Sequence, residues 1–387
     1  MKEFDEIINR YETNCAKWDE CREICGKDVM QLAVADMDFR SPKEILNVMH
    51  KIVEHGIFGY TILSKKYYQS VINWYKKRHN WNISEEWIMY SPRVGIGTSL
   101  IIQNMTKKGD GIILQTPAYP TLRDVVVKNK RNLIENPLIL KNGKYKLDLS
   151  NLEKQIDKNT KIFILCNPHN PTGRVFTLDE LQEIVNFCKK HNLIILADEI
   201  HSDLVFKPNK HIPVASIREA QEISIICTSI TKTFNVPGVI TSNLIIPNEK
   251  IRNEVKEILD VAVIHNPNIF AAAITEAAYN ECDYWLDEVL EYVHSNKIYL
   301  KEYLKKHIPK LKLIDSEGTY LSWIDYRDLK VSGEELKKLF IEKAGVNVYM
   351  GEYFGDSGKG FIRVNLATPK SNIEKFLINI NETLKEK

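Results

Sequence analysis

Three short apolar runs, at residues 162–166, 193–197 and 223–227, each end in polar residues. Runs of about four to eight apolar residues, rich in isoleucine and leucine, predict strands covered on both faces. The first leads into NPHNPTG (167–173), the second into Asp198, and the third into TSITKTFN (228–235), which carries Lys232. Side by side, they would deliver an amide, a carboxylate and an amine to the carboxyl edge of one sheet, the edge where open α/β sheets bind ligands. Further strands are predicted at 88–91 and 111–115, with one more strand-like run between 125 and 139. Helical spacing begins after Pro42 (Ile45, Val48, Met49, Ile52, Val53), returns at Val71, Ile72, Trp74 and Tyr75, and covers 98–105. KYKLDLSNLEKQI (144–156) leads into another helix, and a further one runs over 178–191 behind Thr177, a capping residue. Alternating strands and helices predict an α/β fold, a mostly parallel sheet with helices on both faces. The first 45 or so residues lack such periodicity and are expected to form an irregular arm.

The 387 residues, 44% of them hydrophobic, suffice for two domains of unequal size. Lys plus Arg (53) nearly balances Asp plus Glu (51), so nothing electrostatic points to nucleic acid or to an anionic membrane. No apolar run has the length of a membrane span, and the N-terminal MKEFDEIINRYE lacks the apolar core of a signal peptide. A cytoplasmic location is expected. Seven scattered cysteines are not a disulfide framework. Cys15, Cys21 and Cys25 have no CxxC pair and no nearby histidine, so they read as reduced thiols and no metal is expected. Asp36 and Asp38 flank Met37 without a third ligand and read as capping or solvated groups. Gly95-Ile96-Gly97 opens a predicted helix, an arrangement that holds a phosphate on backbone N–H groups. Leu100 stands where a dinucleotide site wants a third glycine, which leaves a single phosphate. Tyr119 ends a strand, either as a packing residue or with its ring flat on a planar cofactor.

CNPHNPTG (166–173), ADEIHSD (197–203), SITKTFNVPG (229–238) and FIRVNLA (361–367) resemble, in order and spacing, motifs of fold-type I, pyridoxal 5'-phosphate-dependent enzymes of the aspartate aminotransferase superfamily. Within it, TNCAKWDE (13–20), VADMDF (34–39), FGYT (58–61) and KTFN (232–235) are similar to the MalY/PatB-type cystathionine β-lyases. The resemblance implies that Lys232 is the Schiff-base lysine and that Asp198 partners the pyridine nitrogen. It sets Asn170 and His201 at the phenolic oxygen, although His201 alone reads equally as a structural histidine. It stacks Tyr119 on the ring and gives the phosphate the N–H groups of Gly95 and Ile96 and the hydroxyl of Ser229. Tyr60 would add its hydroxyl from a neighbouring subunit, which implies a homodimer. Arg363 would grip the α-carboxylate of an amino-acid substrate, with Asn170 and Ala35 beside it.

The resemblance further implies an arm over 1–45 that packs with the small domain, a large cofactor-binding domain over 46–286 and a small C-terminal domain over 287–387. Many transaminases of this fold carry an arginine eight residues after the lysine, where this chain has Ile240. That departure favours the lyase subgroup and leaves Arg93 either as the substitute charge or as a solvated residue. Ala33 and Thr231 also depart from the lyase pattern. The implied activity is a C–S β-lyase acting on L-cystathionine or a related cysteine S-conjugate. An aminotransferase, or a cofactor-binding regulatory protein, are the alternatives.

Overall fold

The computed structural model describes residues 2–386. Its central sheet has strands β1 (Ile88–Ser91), β2 (Gly111–Thr116), β3 (Asn132–Pro137), β4 (Thr160–Cys166), β5 (Ile194–Asp198), β6 (Ser224–Thr228) and β7 (Ser242–Ile245). Their spatial order is β1-β7-β6-β5-β4-β2-β3. β3, β2, β4, β5 and β6 pair in parallel, and β7 runs antiparallel to both of its neighbours. The three strands expected side by side are therefore adjacent, and β7 is an element the hydrophobic pattern did not predict.

Side chains alternate between two cores, as the period of a strand requires. Ile113, Phe163, Leu165, Ile195, Ala197 and Ile226 face one core, whereas Ile112, Leu114, Ile162, Ile164, Cys166, Leu196, Ile225 and Cys227 face the other. Burial on both sides explains the unbroken apolar centres of β2 (Ile112, Ile113, Leu114) and β6 (Ile225, Ile226, Cys227) and why the pattern was legible. Helices Val94–Met105, Pro120–Lys128 and Glu249–Val261 cover the second face through Ile101, Ile102, Leu122, Val126 and Val255. Leu178–Lys190 covers the first and is opened by a capping box in which the Thr177 and Glu180 side chains satisfy each other's backbone N–H.

Two predicted elements shift. The helix expected over 98–105 begins at Val94, so Gly95 and Ile96 lie in its first turn rather than before it. Gly97 lets this helix lie close on the sheet, since a Cβ there would come within 2.9 Å of Ser91 Oγ and 3.3 Å of Leu244. The strand-like run between 125 and 139 divides into the end of helix Pro120–Lys128 and β3, because packing of Val126 overrides the strand preference of Val125–Val127.

A second sheet, β8 (Lys312–Leu313), β9 (Leu321–Asp325), β10 (Tyr349–Met350) and β11 (Phe361–Asn365), is antiparallel in the order β8-β9-β11-β10. The long helix beside it starts at Asp283. The arm is less irregular than expected, with short helical turns at Lys2–Asp5, Ala16–Glu20 and Cys21–Cys25 and a parallel pairing of Met30–Gln31 with Val346–Asn347. Among the described residues, no helix is long and apolar enough to cross a membrane.

Candidate active site

The carboxyl ends of β4, β5 and β6 open on a cavity of about 410 Å³. Strand register sets Cys166 beside Asp198 and Asp198 beside Cys227, so the Asp198 carboxylate extends the row of Leu196 on the face of helix Val94–Met105. Burial pushes the Asp198 carboxyl up to about 6, while the Ile200 N–H, 3.2 Å from Oδ1, and the charge of Lys232 pull it back. Lys232 sits in the short helix Ile230–Thr233 that follows β6, with Ser229 capping Thr231 N–H. Its Nζ donates to the Ala35 carbonyl at 2.5 Å. Burial brings the amine down to about 8, against the charge of Asp36 and with the help of Arg363. An amine so shifted is partly neutral near physiological pH, as a nucleophile or proton acceptor must be.

Arg363, on β11, is 1% exposed. Its two terminal nitrogens diverge to Asn170 Oδ1 (2.8 Å) and the Ala33 carbonyl (2.7 Å), and Tyr349 and Phe354 flank the guanidinium. Among the described residues its Nε has no partner, and neither has Nδ1 of buried His201, whose imidazole burial holds neutral by lowering it to about 3. Ser229 Oγ donates to the Thr241 carbonyl at 2.6 Å and lies 2.7 Å from Thr231 Oγ1. Gly95, Ile96, Tyr119 and Ala35 complete the predicted residues lining the cavity. Tyr60 is the one left out, fully exposed on the surface and absent from the cavity of its own chain.

Residues 33–37 act as a hub that the motifs alone did not reveal. The carbonyls of Ala33 and Ala35 hold Arg363 and Lys232, Asn365 Nδ2 ties those of Val34 and Asp36, and Asn235 binds both Met37 N–H and carbonyl. From the arm, Arg10 reaches Asp36 (2.7 Å) and Asp38 (2.8 Å), and fully buried Lys17 lies 2.8 Å from Asp38 and 3.5 Å from Asp36. The two carboxylates are thus neither solvated nor capping groups but half of a charge-balanced cluster. Among the described residues, no group of three or more His, Cys, Asp or Glu side chains could hold a metal ion, and the cysteines are free. Tyr320, whose hydroxyl donates to the Ala35 carbonyl at 3.0 Å, and Tyr349 and Tyr353 at the cavity wall also escaped the sequence reading, because they stand in stretches without a distinctive motif.

A family profile described as aminotransferase class I and II matches residues 27–380. The chain belongs to that family. Within the aminotransferase class I and II family it is 35% identical to cystathionine beta-lyase PatB of Bacillus subtilis over 98% of this chain and 99% of that protein. It is 30% identical to protein MalY of Escherichia coli over 97% of each. The solved structure of cystalysin from Treponema denticola, which contains a pyridoxal 5'-phosphate cofactor, superimposes with a TM-score of 0.96 at 35% identity, covering 99% of this chain and 98% of that one.

Proposed function

We propose that the protein is a pyridoxal 5'-phosphate-dependent C–S β-lyase. Its substrate would be L-cystathionine or a related cysteine S-conjugate, converted with water into thiol, pyruvate and ammonia. The observation that carries the cofactor chemistry of this reading is the buried Lys232 amine, lowered to about 8 and sharing one cavity with Asp198 and Arg363, and the 35% identity to a cystathionine beta-lyase supports the lyase branch. The cavity suits the cofactor: among the described residues His201 Nδ1 and Arg363 Nε are buried without partners, and the first turn of helix Val94–Met105 presents N–H groups a helix leaves unpaired. When bound, pyridoxal phosphate supplies an aldehyde that a lysine can engage and a ring that withdraws electrons from the substrate Cα.

Lys232 would hold the cofactor covalently, and Asp198 would meet its ring nitrogen as a carboxylate that keeps that nitrogen protonated. Asn170 and His201 would meet its phenolic oxygen, Tyr119 its ring face, and Gly95, Ile96 and Ser229 its phosphate. Arg363 orients the amino acid by its α-carboxylate through a planar fork, already aimed by Asn170 and the Ala33 carbonyl. Once the substrate amine displaces it from the cofactor, the freed Lys232 amine would take the Cα proton, and the sulfur on Cβ would leave with its electron pair and be protonated to the thiol. Residues 46–286 around the large sheet form the cofactor-binding domain in this reading, and 287–387 around the small sheet the domain that carries Arg363. A homodimer and a cytoplasmic location belong to the same reading.

Transamination would use the same side chains, so the outcome separates the two activities. Protein mixed with excess L-cystathionine and no keto acid is expected to release thiol and pyruvate in equal amounts over many turnovers with a stable visible absorbance. A single turnover with loss of that absorbance, restored only by a keto acid, assigns the protein as an aminotransferase instead.

A further inference from the structure

We infer that Arg93 provides the full positive charge that meets the cofactor's phosphate at the N-terminus of helix Val94–Met105. This rests on the pyridoxal phosphate reading above. Among the described residues, three cationic side chains line the cavity: Arg93, Lys232 and Arg363. Two of them are already engaged. Lys232 is bound to the Ala35 carbonyl, and Arg363 is shared between Asn170 and the Ala33 carbonyl. Arg93 occupies the N-cap position of the helix, its side chain is exposed at the cavity, and among the described residues its guanidinium has no hydrogen bond or ion pair.

The remaining phosphate donors fall short of a dianion. Backbone N–H groups at a helix N-terminus carry together about half an elementary charge. The Ser229 hydroxyl already spends its proton on the Thr241 carbonyl, so it reaches a phosphate only by giving up that bond. Arg93 directly precedes the first turn and lines the same cavity as Gly95, Ile96, Ser229 and Thr231. After burial and Arg363, its charge adds a small part to the lowering of the Lys232 amine. A guanidinium fork offers a phosphate two parallel hydrogen bonds as well as charge.

The experiment compares pyridoxal 5'-phosphate with pyridoxal, which differs only in lacking the phosphate. Full-length wild type, Arg93→Gln and Arg93→Lys are stripped of cofactor and titrated with each compound by visible absorbance, at low and high salt. Arg93→Gln should bind the phosphorylated compound roughly 10-fold more weakly at low salt, pyridoxal unchanged, with the difference shrinking as salt rises. Arg93→Lys should retain most of the affinity. Unchanged phosphate-ester binding in Arg93→Gln overturns the assignment, and so do equal losses for both compounds, which mark a folding defect. Normal cofactor binding with a raised KM confined to substrates bearing a second carboxylate also overturns it, making Arg93 a substrate contact. Wild type that takes up neither compound refutes the proposed function itself, and this assignment with it.

Discussion

Between about pH 4 and pH 6 the cofactor-free native protein keeps a proton on Asp198 that the unfolded chain has released, since burial raises this carboxyl from 3.8 to about 6. Native stability therefore falls as pH rises through that window and stays lowered above it. Asp198→Asn removes the buried charge, so the cofactor-free variant should gain about 2–3 kcal/mol over wild type at pH 7 and nothing below pH 4. Denaturant unfolding at the two pH values reads this directly, and a gap that does not widen with pH refutes it. In the loaded enzyme the same variant should keep its cofactor yet turn over far more slowly, because an amide cannot hold a pyridine nitrogen protonated. Arg363 rests on geometry rather than titration. Its two terminal nitrogens point to acceptors on different segments, Asn170 and Ala33, which a lysine amine cannot span. Arg363→Lys should lose about 1.5–3 kcal/mol of transition-state binding, roughly 10- to 100-fold in kcat/KM. An equal loss on analogues without an α-carboxylate would point to misfolding instead.

At the scale of elements, the arm and the 33–39 segment form one unit, and its charges make a testable pair. Lys17 is fully buried and balances Asp38 at 2.8 Å. Lys17→Met leaves a buried carboxylate with Arg10 as its remaining cation, which should cost about 3 kcal/mol. Adding Asp38→Asn should return part of that loss, a coupling that thermal unfolding of the single and double variants measures. The sequence hid this unit because the contacts join residues 26 and 28 apart in an irregular stretch, where no period signals a partner. Strands β2, β4, β5 and β6 were legible for the opposite reason: burial on both faces leaves an unbroken apolar run. β7 was not, since it is four residues long and half of it, Ser242 and Asn243, is polar although buried. Lys232, Asp198, Asn170 and Arg363 stand at the ends or in the course of patterned strands. Tyr320, Tyr349 and Tyr353 reach the site through the small sheet and its loops, whose folding back onto the large sheet no local pattern encodes.

The whole molecule leaves an apolar surface beside the cavity that a single chain does not cover. Ile57, Phe58, Tyr60 and Ile62 are 60–100% exposed, and Val261 and Val263 are 86% and 72% exposed. Asn266 Nδ2 binds the Thr61 carbonyl, and Asn268 Nδ2 binds that of Val239, next to the cavity residue Ile240, so both stretches border the site. An exposed apolar patch of this kind is expected to be an interface, and a two-fold dimer would turn each chain's Tyr60 toward its partner. Mixing two defective proteins tests that geometry. One carries Lys232→Ala, the other Tyr60→Ala, and the two are unfolded together and refolded as an equal mixture. In a hybrid dimer, the site with the intact lysine then receives the intact tyrosine of the other chain. About half the dimers are hybrids with one repaired site in two, so activity should rise to about a quarter of wild type. If Tyr60 serves the cavity of its own chain, or the protein is a monomer, no site in the mixture holds both groups. Activity would then stay at the average of the two parents, and the exposed tyrosine would need another explanation.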